Sequence, residues 1–136
     1  VYYDGTNTAY GSSWTTNDII MVALDMDNKL AWLGKNGTWF NSATQTEIEN
    51  GTATNDLTTK MGTQQNLTGS TIFPMFADQT GTGDMALNVN FGNGFFGTTA
   101  VTSAQNPDDG IGIFEYDVPA GYRALCTKSI NAEEYS

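Results

Sequence analysis

Between Asp18 and Phe40 the chain reads DIIMVALDMDNKLAWLGKNGTWF, three apolar runs joined by two turn signals. No other stretch limits the fold as tightly. Asp27-Asn28 tolerates the left-handed backbone of a tight turn. Asn36-Gly37 is a stronger signal, because a type I′ hairpin needs positive φ at both central residues. The spacing predicts strands over 18–24, 29–35 and 38–40, paired as an antiparallel meander. Residues 19–24 are apolar without a break, which suits a central strand covered on both faces.

The rest of the chain extends the pattern. Met85, Leu87, Val89 and Phe91 alternate with Ala86, Asn88 and Asn90, a period of two that predicts a strand. Further strands are expected over 72–77, 111–118 and 122–126, and GNGFFG at 92–97 reads as a bend. Short strands split by Gly, Asn, Asp and Pro predict an all-β fold, an antiparallel two-sheet sandwich. No window predicts a helix beyond one weak turn over 43–49. Residues 41–70 are nearly all polar, anchored by Ile48, Leu57, Met61 and Leu67. A connection of that length is usually functional. The domain is expected to run over 1–128, with 129–136 as a tail or linker.

Charge excludes several partners. Charged residues are 15% of the chain, against an average of about 25%, so the surface must be rich in hydroxyls and amides. Net charge is −10, and the five basic residues, Lys29, Lys35, Lys60, Arg123 and Lys128, form no run. Binding nucleic acid needs clustered Lys and Arg to displace counterions, so no nucleic-acid partner is expected. Anionic membrane surfaces are excluded on the same ground, and no apolar run reaches the ~18 residues of a spanning helix. Histidine is absent, which removes the commonest general base and metal ligand. The single cysteine, Cys126, forbids an internal disulfide and reads as a small core residue beside Ala124 and Leu125.

The polar candidates lie in loops. Asp25-Met26-Asp27-Asn28 has the alternate oxygen ligands of half a calcium loop. It lacks the glycine and the distal glutamate of that loop, and turn chemistry accounts for its residues, so no cofactor is expected and Ca²⁺ stays open as the unfavoured alternative. Asp78, Asp84, Asp108 and Asp109 flank the later strands, with Asn106 in the 103–110 loop. Together with Trp14, in GSSWTT, they are the candidate contact residues of a loop rim. Trp32 and Trp39 are expected in the core. Glu47 and Glu49 form a close carboxylate pair in a loop, and they are expected to face solvent. A glycosidase pair would need burial to raise one of its pKa values. No catalytic residue is therefore expected. Asn36, Asn50 and Asn66 fit the glycosylation pattern, as chance alone predicts in a Thr-rich chain.

DIIMVALDMDNKLAWLGKNGTW resembles the paired hairpins of the SPRY domain, and IFPMFA, LNVNFGN and FEYDVPAGYRALCT resemble its later segments in the same order. The likeness spans about residues 10–128, and the last segment is similar to versions found in phage virion proteins. The resemblance implies a concanavalin A-like jelly roll in which Asp25, Asn36, Gly37, Trp39, Phe91 and Gly92 are scaffold positions, with Trp39 and Phe91 shut inside. With only seventeen residues before Asp18, some N-terminal strands of that fold are expected to be missing. The implied function is non-catalytic binding or assembly through rim loops, in a tail fibre or virion decoration, hence a virion or extracellular location. The expected partners are a protein or glycan on a host surface, or neighbouring subunits of a homo-oligomer or larger assembly. Two alternatives stay open, a carbohydrate-binding lectin-like domain and a purely structural subunit. A glycoside hydrolase ranks last.

Overall fold

The computed structural model describes residues 2–3, 6–7, 9–61, 76 and 85–135. In chain order its elements are β1 (Tyr2–Tyr3), β2 (Thr6–Asn7), β3 (Ile20–Asp25), β4 (Leu30–Lys35), β5 (Thr38–Trp39), a 3₁₀ turn (Phe40–Ser42), α1 (Gln45–Glu49), α2 (Leu57–Met61), β6 (Phe95–Phe96), β7 (Thr99–Ala100) and α3 (Thr127–Glu134). The strands form small antiparallel sheets, β1-β2, β3-β4-β5 and β6-β7. The chain is mainly β in its regular pairings, with short helices between and after them.

The predicted meander is present. Six residue pairs join β3 to β4, from Ile20 opposite Lys35 to Asp25 opposite Leu30. Both turns follow their residue chemistry. Asn36 and Gly37 have φ of 50° and 83°, the double positive φ of a type I′ turn. The Asn36 carboxamide accepts from Ile19 N at 2.8 Å and donates to Asp18 Oδ1 at 2.7 Å, tying the turn to the start of β3. At the other end, the Asp25 carboxylate accepts from the amides of Asp27 and Asn28 at 3.0 and 2.9 Å, and from Asn28 Nδ2 at 2.8 Å. Those bonds close the turn through Asp25.

The core lies on one face of this sheet. Trp32 and Ile48 are fully buried and pack with Ala23 and Leu30, while Trp39, Ala43 and Tyr122 close over them. Trp39 is half-buried, shielded on the core as expected. On the other face Ala31, opposite Leu24, is buried, while β3 itself is open. Val22 is 58% exposed and Leu24 is exposed. Among the described residues, the strand expected to be central and covered on both faces pairs with β4 alone. Its unbroken apolar run shows how well the strand could be covered, yet Val22 and Leu24 on its outer face stay exposed.

The second half differs more. Residues 85–91 form no strand, and Met85, Leu87, Val89 and Phe91 are all between 41 and 43% exposed. Phe91 is thus open to solvent, against expectation. The asparagines explain the inversion. Asn90 Nδ2 donates to Ile113 O at 2.9 Å and its Oδ1 accepts from Gly92 N at 2.7 Å. The Asn88 carboxamide lies against Gly97, where an added Cβ would come 2.7 Å from its oxygen. Asn90 tethers this segment, and the apolar side chains before it stay exposed.

Residues 111–118 and 122–126 are also irregular, apart from one bridge between Gln105 and Phe114. Side chains satisfy backbone amides here in place of a ladder. Glu115 accepts from Thr102 N at 2.6 Å and Asp109 from Ile111 N at 2.8 Å. The bend at 92–97 becomes the β6–β7 hairpin. Of the strand expected over 72–77, all but Phe76 lies outside the described residues, as do 62–70 and 78–84.

Helices replace part of what was read as loop and tail. The weak turn over 43–49 is α1, whose first turn Thr44 caps by accepting from Glu47 N at 3.1 Å. Asp56 caps α2, accepting from Thr59 N at 3.0 Å. Residues 129–134, expected in a tail or linker, belong to α3, and Ser129 on it is buried.

Candidate functional site

Two parts of the expected rim, α1 and the 103–110 loop, meet at one corner of the molecule, and carboxylates hold them together. From α1, Gln45 Nε2 donates to Asp117 Oδ2 at 2.8 Å, and Glu49 accepts from Ala120 N at 3.0 Å. From the 103–110 loop, Asp108 accepts from the next amide, Gly121 N, at 3.2 Å. Two carboxylates from distant segments thus grip adjacent peptide groups of one turn, which Tyr122 N closes by donating to Pro119 O at 3.0 Å. Tyr122 OH donates to Ile48 O at 3.2 Å, passing the link to the core. Burial pushes the Tyr122 phenol up to about 12, and the nearby Asp25 charge adds to it. At the loop's far side, Asp109 Oδ2 accepts from the buried Ser129 hydroxyl at 3.3 Å, docking α3.

These bonds revise the roles of the candidate residues. Asp108 and Asp109 are brought together with α1 and α3, but as structural acceptors. Asn106 is exposed, and with its nitrogen turned inward it donates to the Gln105 and Gly112 carbonyls at 3.2 and 3.3 Å. Trp14 is 51% exposed, as expected of the most open tryptophan. The neighbouring Ser13 carbonyl accepts from Lys35 Nζ at 2.7 Å, and Lys35 pairs with Asp18 at 3.4 Å. That fixes the Trp14 segment to the Lys35 end of β4. Asp78 and Asp84 lie outside the described residues.

Glu47 corrects the reading of a solvent-facing loop carboxylate. It is half-buried, and accepts from Asn55 N at 2.6 Å, Asn55 Nδ2 at 2.9 Å and the Trp32 indole at 3.4 Å. Burial pushes its pKa up, but the bonds from Asn55, Trp32 and Thr44 outweigh burial and leave it lowered. Tyr10 OH donates to Asn55 O at 2.9 Å on the same joint. Asp56, beside it, is fully buried. Its Oδ2 accepts from the Thr58 hydroxyl, and its Oδ1 has no hydrogen-bond partner. Here too burial raises the pKa and the Thr58 and Thr59 bonds bring it below the ordinary value. Both carboxylates stay ionised and fasten the α1–α2 connection beneath the sheet. The T-x-x-E spacing at Thr44–Glu47 was a visible cap signal. The reach of Glu47 to Trp32 was not visible, because it depends on the folded placement of β4.

Cys126 is half-buried at the N-terminus of α3. Among the described residues no group of His, Cys, Asp and Glu is arranged to hold a metal ion, and no helix is long and apolar enough to cross a membrane. No family model, no curated protein and no solved structure matches this chain.

Proposed function

We propose that the chain is a non-catalytic binding or assembly module of a phage virion appendage, a tail fibre or surface decoration, working at the virion surface. In this reading β3–β5 belongs to one layer of a SPRY-like two-sheet sandwich of concanavalin A-like type. Loops at its rim contact a host receptor or neighbouring subunits. The observation that supports it best is the knitted corner. Gln45 and Glu49 of α1 and Asp108 of the 103–110 loop fix two polar segments from across the chain onto residues 117–121. A rigidly held set of polar loops is what a recognition surface requires. The carboxylates there are spent on backbone amides, which suits a scaffold more than acid–base chemistry.

The test is capture of bacterial envelope fractions on immobilised protein, comparing wild type with Trp14→Ala and Asn106→Ala. Retention by wild type, weakened in either variant, is expected. Equal retention by all three would remove the rim from the reading, and no retention would remove receptor binding. The exposed Trp14 favours one second reading, a lectin, because an open indole can stack on a sugar ring. Binding on a glycan array, lost in Trp14→Ala, would decide for it.

A further inference from the structure

Three Asn-Gly pairs occur in the chain, Asn36-Gly37, Asn50-Gly51 and Asn93-Gly94. Such a pair can modify itself, because a glycine has no side chain to keep its amide nitrogen away from the preceding carboxamide carbon. The fold treats the three pairs differently. At the hairpin, the Asn36 carboxamide is held at both ends, accepting from Ile19 N at 2.8 Å and donating to Asp18 Oδ1 at 2.7 Å. Before β6, Asn93 Oδ1 accepts from Phe95 N and Gly94 N donates to Asn90 Oδ1, each at 3.3 Å, and Gly94 is buried. Asn50 is exposed and stands at the C-terminal cap of α1. α1 ends there in a Schellman motif. Thr52 N donates to Glu47 O at 2.9 Å and Gly51 N to Ile48 O at 3.0 Å, with Gly51 at a φ of 59°. A Cβ at Gly51 would lie 2.7 Å from Asn28 Nδ2, so both conformation and space require glycine after Asn50.

We propose that Asn50 is a self-modification site that converts to isoaspartate, at a rate set by opening of the last turn of α1. Gly51 N gives up its proton to solvent base and attacks Asn50 Cγ. The N–Cγ bond forms, the Cγ–Nδ2 bond breaks and ammonia leaves. Water then opens the cyclic imide, at the main-chain carbonyl to give isoaspartate or at the side-chain carbonyl to give aspartate. The net reaction consumes water alone, and it is independent of the binding reading above. The attacking nitrogen is the one that donates to Ile48 O, so the Schellman motif must open before the ring can close. A helix of five residues opens readily at its end. The product changes the corner. Isoaspartate adds a methylene to the main chain beside Glu49, which accepts from Ala120 N. The motif cannot re-form with its original spacing, and α1 loosens its grip on residues 117–121.

The experiment ages the full chain in warm, mildly alkaline buffer made with heavy-oxygen water. Electron-transfer fragmentation of its proteolytic peptides then places the label and separates isoaspartate from aspartate. Conversion at Asn50 several-fold faster than at Asn36 and Asn93 is the expected result, with isoaspartate in excess. In urea the three rates should converge, which would tie the folded ranking to structure. Thr44→Ala removes the bond that caps α1 and should speed conversion at Asn50 several-fold, while Asn36 and Asn93 keep their rates. Asn50→Gln should abolish labelling at that position. A lead by Asn36 or Asn93 in the folded chain, or equal rates at all three, would overturn the proposal. So would a ranking that survives in urea, or an Asn50 rate that Thr44→Ala leaves unchanged. A rise at all three sites together in Thr44→Ala would overturn it in favour of global unfolding as the limiting step.

Discussion

Residues 18–61 and residues 85–126 carry similar apolar alternation, yet they fold differently. The first region closes on itself through two tight turns, so each strand finds its partner within about ten residues. Its apolar side chains then meet α1, and Trp32 and Ile48 are sealed. Among the described residues, the second region has no such local partner for 85–91. Its amides go to Asn, Asp and Glu side chains, and its apolar residues stay at the surface. Alternation decides which side chains share a face. Only a nearby strand decides whether that face is covered, because distant pairing must first overcome loop-closure entropy.

The sharpest way to break the comparison is truncation in each region. Trp32→Ala removes a fully buried indole and leaves Glu47 short of a donor. It should destabilise the protein by about 3–5 kcal/mol, read from the midpoint of urea unfolding. Leu87→Ala and Phe91→Ala should each change stability by less than about 1 kcal/mol in the monomer. Comparable losses at Phe91 and Trp32 would mean that residues 85–91 are part of the core.

Glu47→Gln tests whether the joint under the sheet rests on an ionised carboxylate. The amide keeps one acceptor and turns a donor toward the Asn55 donors. The expected loss is about 1–2 kcal/mol after allowing for partial solvent screening. The pH dependence has a definite sign. A lowered folded pKa means that Glu47 stabilises the fold above its ordinary value of 4.5, and that this is lost as pH falls through the folded value. Asp56 acts in the same direction from 3.8. Stability should fall on acidification below these values, and Glu47→Gln should flatten the upper part of that slope. An unchanged slope would show that the Glu47 bonds do not persist in solution.

How much of this was legible depends on where the deciding partner lies. Asn36-Gly37 and Asp25–Asn28 carry their own reason for folding, so the meander could be read directly. The knitted corner could not. Glu49 and Ala120, or Gln45 and Asp117, are far apart in sequence, and neither pair has any local signature. α3 escaped for another reason. The residue it buries is Ser129, a polar one, so apolar periodicity carried no trace of the helix. Asp108 and Asp109 were found as rim carboxylates, but the amides they accept from depend on the folded turn.

Gly37→Ala and Ser129→Ala sharpen the comparison at the small end. Gly37 has φ of 83°, and a Cβ there would lie 3.1 Å from the Tyr116 ring. An alanine must strain the turn and displace that ring, for an expected loss of about 1–2 kcal/mol. Ser129→Ala removes one 3.3 Å bond to Asp109, which keeps its shorter bond from Ile111 N. The loss should be about 0.5–1 kcal/mol, and amide exchange should quicken in α3 while the β3–β4 amides stay protected. If both sets quickened together, the corner and the meander would unfold as one unit. The division between a self-closing half and a side-chain-tethered half would then describe the geometry alone, and the tethers would be as integral to global stability as the hairpins.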